Sequence, residues 1–461
     1  PMSDRIERDS LGEVKVPATA LFGAQTQRAV QNFGLWGRVM SGDFIQSLAL
    51  IKSAAALANR DCEVLPEAIS SAVVAAAAQV VQGGLDEHFP VSVFQTGSGT
   101  STNMNMNEVL ARLASEASDT SVHPNDHVNC SQSSNDVIPS CIQVTASRAL
   151  YSRLLPALRE LIACIEARGD DLMTVAKTGR THLMDAMPVT LGQELGAWAC
   201  QLQECEQRID DLGPRLRRLP VGGSAVGTGV NVPPGFPQRV IAHLRESTGL
   251  PFELAPNAFA RMAGQDVSLE CSSCLRALAV TLRKINDDLR WMASGPLSGL
   301  SEIELAALQP GSSIMPGKVN PVLPEAVLMV AAEVAGNDAS IAVAANSGNF
   351  QLNVMLPLIA DKLCAGFEAL TWACEATGKT VAGFSVNHER IEQSLAANPI
   401  LVTALNTRIG YEAAAVIAKR SYSEQRPVLD VAEEETGLSR SELQSLLDPL
   451  KLTNATADDL A

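Results

Sequence analysis

A chain of 461 residues has room for roughly two to four domains and a large core. Hydrophobic residues make up 46% and aromatics only 4%, so Ala, Leu and Val must fill the interior, which favours packed helices over a sheet. The net charge of -16 excludes the basic footprint of a nucleic-acid binder, and an anionic ligand must be held by local donors against the overall field.

Pro1 before Met2 reads as an addition to the natural start. Residues 3–22 mix charge and Pro without sustained periodicity, and the polar stretch 23–28 follows. Ala-rich helices are predicted at 43–60 and 66–82, within a first, smaller domain spanning 1–131. Residues 97–102, Gly-Ser-Gly-Thr-Ser-Thr, form a hydroxyl-rich loop ahead of a helix bearing Asn103, Asn105, Asn107 and Glu108. Backbone N–H groups and hydroxyls at a helix start suit a carboxylate or phosphate, and serve as often as an ordinary cap. The loop lacks the third glycine and the preceding parallel strand of a dinucleotide fingerprint. Further on, Ser133, Ser134 and Asn135 place three adjacent hydrogen-bonding side chains before another helix.

The middle of the chain is the most periodic. Tyr151, Leu154, Leu155, Leu158, Leu161, Ile162 and Ile165 mark one helix face. Leu191, Leu195, Trp198, Leu202, Cys205, Ile209 and Leu212 alternate steps of four and three. Val267, Cys271, Cys274, Leu278, Leu282, Ile285, Leu289 and Met292 repeat the pattern, as do Leu352, Leu356, Ile359, Leu363, Phe367, Leu370 and Cys374. A fifth, Ala-rich helix is predicted at 323–347. Such stripes imply an all-α long-helix bundle over 132–389, and stripes this long need partners on more than one side. From about residue 390 shorter helices follow at 400–420 and 424–436, with a capping box in Ser439-Arg-Ser-Glu442, giving a small helical domain over 390–461 that ends in a polar tail.

Ten cysteines show no disulfide spacing, and Cys271 and Cys274 read as buried core thiols rather than a redox or zinc pair. No secretory signal or membrane span is expected, because the most apolar run, Ala72–Val81, is too short to cross a bilayer. A cytoplasmic enzyme is the resulting expectation.

Between helical patterns lies Pro310-Gly-Ser-Ser-Ile-Met-Pro-Gly-Lys-Val-Asn-Pro321. Its glycines and prolines suit a loop that is mobile when open and ordered when closed. Lys318 supplies charge for an anion, and Ser312, Ser313 and Asn320 supply hydrogen bonds. The segment resembles the signature loop of the fumarase/aspartase superfamily. The resemblance extends through residues 96–108, 123–136, 179–194 and 222–231, and is greatest to the class II fumarate hydratases. It implies a three-domain fold, a homotetramer with a twenty-helix core, sites assembled from three subunits, and reversible hydration of fumarate to (S)-malate through an aci-carboxylate.

Position by position, the resemblance makes Ser312 the base for the C3 proton, with Lys318 and Asn320 on the carboxylate that takes up charge. His182 becomes the proton carrier for water or the leaving hydroxyl, with Glu325 orienting it and Thr181 adding a hydroxyl. Ser98, Thr100, Ser133, Ser134 and Asn135 resemble a clamp for the second carboxylate. His123, Asn125 and Asp126 match a peripheral anion site, although His-Pro-Asn-Asp also suits a helix-start turn. Neither metal nor organic cofactor is implied, since the histidines lack ligand spacing and no cysteine cluster suggests an iron–sulfur centre.

Two other readings compete. Segments 303–309, 320–325 and 352–355 lean towards an aspartate ammonia-lyase, but they support the loop, whereas the Ser/Thr motifs touch the substrate. A catalytically inactive structural relative is the third reading, disfavoured by the intact Ser312, Lys318, Asn320, His182 and Glu325 set.

Overall fold

The structure is a computed structural model that describes residues 4–118 and 120–455; Pro1 and the end of the polar tail lie outside the described residues. Helices dominate, and among the described residues strands occur only as two-stranded pairs. The first is a hairpin of β1 (Asp4–Asp9) and β2 (Gly12–Pro17), where no element was expected. One face of β1 is exposed and the other only partly buried, so neither demands the apolar–polar alternation that a buried face would.

Helices α1 (Ala24–Phe33), α2 (Gly42–Asp61), α3 (Glu67–Gln82) and α4 (Thr100–Ala117) follow, then α5 (Ser134–Ala149) and α6 (Leu155–Asp171). The expected Ala-rich helices are thus present. Between α5 and α6 the chain stays helical through a π turn at Leu150–Leu154. Pro156, which lacks an N–H, lies just beyond it and accounts for the local loss of regular bonding. A second hairpin, β3 (Ala176–Thr181) and β4 (Met184–Thr190), precedes α7 (Leu191–Leu216). It was not expected either, and it matters for the site. The remaining long elements are α8 (Phe236–Thr248), the short α9 (Ala258–Ala263), α10 (Asp266–Met292), α11 (Val322–Ala345) and α12 (Leu356–Gly383).

All seven α7 stripe residues are buried. On α10 the stripe runs through Leu275 rather than Cys274, which is only half-buried, so of the two thiols read as core only Cys271 is enclosed. The α12 stripe is buried from Leu356 to Cys374, whereas Leu352 belongs to a short strand before the helix. α11 differs from these. Its apolar residues are not confined to one stripe, and with a mean hydropathy of 1.5 over its most apolar stretch it is long and apolar enough, by length and composition alone, to cross a membrane. Buried core helices pass the same test, so the expectation of no membrane span is not overturned; only the choice of Ala72–Val81 as the relevant apolar run is corrected. The helix carries Glu325, Glu333 and Asp338, and the buried Asp338 carboxylate pairs with Arg276 at 2.7 Å.

Contacts divide the chain into two compact units. One comprises Pro1–Pro156, Gln207–Ala279 and Ala332–Thr371, the other Ala157–Glu206, Val280–Ala331 and Trp372–Ala461. After residue 390 short helices enclose a cluster of their own, including Leu405, Ile417, Val431 and Leu443. Ser439 caps the helix Arg440–Leu446 by accepting from the Glu442 N–H, half of the box expected there.

Candidate active site

The loop before α11 is a closed ring. The Gly311 N–H donates to the Lys318 carbonyl at 2.9 Å, and the Asn320 side-chain amide donates to the Gly311 carbonyl at 2.6 Å. A Cβ at Gly311 would lie 2.4 Å from the Lys318 oxygen, so only glycine permits this closure. Within the ring the Ser312 Oγ accepts two backbone hydrogen bonds, from Ile314 N at 3.2 Å and Met315 N at 3.0 Å. Both donors point at the one atom on which an alkoxide would form. The loop borders a cavity of ≈ 530 Å³ lined by residues 307–312 and 315–319. Lys318 is exposed, and its ammonium has no ion-pair partner among the described residues. Ile314, at the tip, is 83% exposed, which is unusual for an isoleucine.

In the same unit, the β3–β4 turn presents Thr181 and His182. His182 and Leu183 have φ of 57° and 61°, the left-handed region that a two-residue hairpin turn demands and that Asn-Gly would fill without strain. Two such residues store about 1–2 kcal/mol each, a cost found chiefly where function holds a side chain in place. The turn is anchored from beneath. The buried Lys177 ammonium meets Glu302 at 2.7 Å and Glu194 at 2.9 Å, and Arg180 meets the other Glu302 oxygen at 2.8 Å. Glu325 sits exposed in the first turn of α11. No hydrogen bond joins it to His182 within the chain; both side chains stand in solvent.

The other unit holds the hydroxyl-rich residues. Ser98 and Thr100 share a hydrogen bond of 2.8 Å at the start of α4, where Gly99 is left-handed. A Cβ at Gly97 would overlap the Val354 carbonyl at 1.7 Å, so the segment before α12 packs directly on this loop. Ser133 is the N-cap of α5, completing a capping box with Asp136, and Asn135 donates to the Ala225 carbonyl at 2.8 Å. The buried Asp136 also accepts from Gly222 N at 2.8 Å, tying the glycine-rich segment 222–231 to the same helix start. Burial pushes the Asp136 carboxyl up to about 6, against the pull of these N–H donors and of Lys52.

Behind this helix start lies a group that the sequence did not reveal. Lys52 on α2 is fully buried, and its Nζ donates to Asn129 Oδ1 and Gln132 Oε1, each at 3.0 Å. Burial pushes its ammonium down to about 7, with Asp136 opposing. Asn103 donates from Nδ2 both to Asn129 Oδ1 at 3.1 Å and to the Ser134 Oγ at 3.0 Å. The one available signal was a lysine inside the apolar run Leu48–Ala58 of an Ala-rich helix.

His123 caps the π turn Pro124–Val128, its ring Nδ1 accepting from the N–H groups of Asn125 and Asp126. His123 and Asn125 line a cavity of ≈ 480 Å³ together with Arg5, Arg8 and Arg112. Each unit therefore gathers part of the expected set. Ser98, Thr100, His123, Asn125, Asp126, Ser133, Ser134 and Asn135 fall in one, and Thr181, His182, Ser312, Lys318, Asn320 and Glu325 in the other. Among the described residues no group of three or more His, Cys, Asp or Glu is placed to hold a metal ion.

Residues 12–336 match the family model described as lyase, and residues 401–454 match that of the fumarase C C-terminus. The chain is 54% identical to fumarate hydratase class II 2 of Pseudomonas aeruginosa, over 97% of this chain and 98% of the relative. It is 48% identical to a class II fumarate hydratase of Mycobacterium tuberculosis, over 98% and 96%. Its structure is similar to the crystal structure of a class II fumarase from Schistosoma mansoni, with a TM-score of 0.94 at 36% identity, covering 98% and 99% of the two chains.

Proposed function

The chain belongs to the class II fumarate hydratase family of lyases, and from that membership we propose that it interconverts fumarate and (S)-malate by anti addition and elimination of water. Removing the C3 proton of malate drives charge onto the adjacent carboxylate, so the reaction needs a base on one face, donors around the developing dianion, and an acid for the leaving hydroxyl on the other. The observation that carries the assignment of the base is the pair of N–H groups on Ser312 Oγ. An unaided serine hydroxyl is a poor base precursor; two aimed donors and the unpaired Lys318 charge nearby shift it towards the alkoxide.

Lys318 then faces the carboxylate that becomes the aci-acid. The Asn320 amide is partly committed to closing the loop, which leaves its oxygen and second N–H for substrate or water. His182, held out on a strained turn, carries the proton for the leaving hydroxyl, with Glu325 as its orienting carboxylate and Thr181 beside it. Ser98, Thr100, Ser133, Ser134 and Asn135 bind the second carboxylate at two helix starts, where backbone N–H groups favour an anion. His123, Asn125 and Asp126 form a peripheral anion site. These roles use side chains and backbone donors alone.

A homotetramer with sites shared between subunits accounts for what one chain leaves open. Only 28% of the most apolar stretch of α11 is buried within the chain, and Met329 and Val343 on it are each 67% exposed. Val280, Trp291 and Trp372 on α10 and α12 are exposed as well. A second and third copy would cover these faces and bring a Glu325 to each His182. Three parts, 1–131, 132–389 and 390–461, describe the subunit, the last supported by its own apolar cluster. Ten free thiols suit a reducing cytoplasm.

The test is product identity. Purified protein with fumarate should form malate in buffer without added metal, read as loss of fumarate absorbance, and ammonium should add little aspartate. Aspartate forming faster than malate would reverse the assignment.

A further inference from the structure

Lys52 lies behind the carboxylate clamp and takes no part in the chemistry above, yet its surroundings determine which way a chain of hydrogen bonds must run. Whether charged or neutral, its Nζ has at least two N–H bonds, and these go to Asn129 Oδ1 and Gln132 Oε1. Lys52 and the backbone together hold both amides in this sense. The Gln132 Nε2 donates to the carbonyls of Val128 and Cys130, whereas the Asn129 Nδ2 has only a long bond of 3.3 Å to the Gln132 carbonyl, so the 3.0 Å bond from Lys52 is the shorter tie on the Asn129 amide. Asn129 Oδ1 is therefore an acceptor, and the groups that meet it from α4, Nδ2 of Asn103 and of Asn107, must donate. The second N–H of Asn103 then falls on the Ser134 Oγ. A serine oxygen that accepts this bond is free to donate its own hydrogen, and no acceptor for that hydrogen exists among the described residues, although Ser134 is buried. An unspent buried O–H bond is costly unless a ligand takes it.

We propose that Lys52 is a positioning residue for substrate: through Asn129 and Asn103 it forces the Ser134 hydroxyl to present its hydrogen outward, to a carboxylate oxygen of the dicarboxylate. The proposal rests on the reading of Ser134 as a clamp residue. It involves no covalent step and no proton transfer. It explains why a lysine amine is buried against the amides of Asn129 and Gln132 where an apolar side chain would pack more cheaply. It also commits the clamp to substrates with an acceptor at that point, so a fumarate analogue carrying an amide N–H there is rejected.

The experiment is a double-mutant cycle read as KM and kcat on the assembled enzyme. Ser134→Ala should raise KM for fumarate about tenfold, the worth of a hydrogen bond to a charged group, with kcat little changed. Lys52→Met should raise KM about fivefold or more in the parent and add nothing in the Ser134→Ala background. Asn103→Leu breaks the chain one link nearer to Ser134, should show the same dependence, and carries the test if Lys52→Met does not assemble. A structural role alone would lower the yield of folded tetramer or kcat and would act equally in both backgrounds. If Ser134→Ala raises KM while Lys52→Met and Asn103→Leu leave it at the parent value, or if their effects multiply with that of Ser134→Ala, the relay is overturned. If Ser134→Ala itself leaves KM unchanged, the clamp reading is overturned, and the relay with it.

Discussion

Replacing Ser312 by Ala removes one oxygen from the loop and tests the assignment of the base. In the folded chain that oxygen accepts from Ile314 N and Met315 N, two residues whose surroundings are open to solvent. Water can take over both donors, so the fold should lose no more than about 1 kcal/mol. The catalytic consequence is larger. Hydrogen bonds to a charged acceptor are worth about 1.5–3 kcal/mol each, so the pair favours the alkoxide by about 3–6 kcal/mol, or two to four powers of ten. Losing a positioned proton acceptor should lower kcat at least ~10²-fold while KM for malate stays near the parent value. Lys318→Met, by contrast, removes counter-charge that serves bound substrate and transition state alike, so KM should rise as kcat falls. Steady-state rates in both directions, followed by fumarate absorbance, separate the two patterns. Should Ser312→Ala raise KM and leave kcat intact, the serine is a carboxylate ligand only, and His182 becomes the first candidate for the base.

Mixing inactive Ser312→Ala and His182→Asn enzymes, dissociating them and allowing reassembly should restore part of the activity, because some mixed sites receive both intact residues; no recovery, or a fully active monomer, would rule out shared sites. Stability should also respond to pH through Lys52, whose ammonium is pushed from 10.5 to about 7 on folding. Between those values the unfolded chain holds the proton and the folded chain does not, so stability rises with pH, by up to about 1.4 kcal/mol per unit. Asp136, pushed up to about 6, has the opposite effect between 3.8 and 6, where the folded chain holds the proton. Lys52→Met should flatten the rise above pH 7 in denaturant midpoints, and an unchanged slope would show that another group produces it.

The sequence by itself determined the helical architecture and the family to which the chain belongs, and it marked the loop and helix starts from which the candidate site is proposed. Periodicity is local, so the stripe from Leu191 to Leu212 could be read directly and is buried along its length. The loop at 310–321 was legible too, since its glycines and prolines state a backbone need at the position where it arises. What escaped depends on neighbours distant in the chain. β1 and the β3–β4 hairpin have no sustained apolar alternation, because their stability comes from strand pairing and, for His182, from an ion-pair anchor at Glu302 more than a hundred residues away. Lys52 looked like one polar residue in an apolar helix until tertiary packing surrounded its ammonium with Asn129 and Gln132. The shift of the α10 stripe from Cys274 to Leu275 was likewise decided by packing, because a heptad-like pattern leaves a choice between adjacent residues and only the neighbouring helices make it.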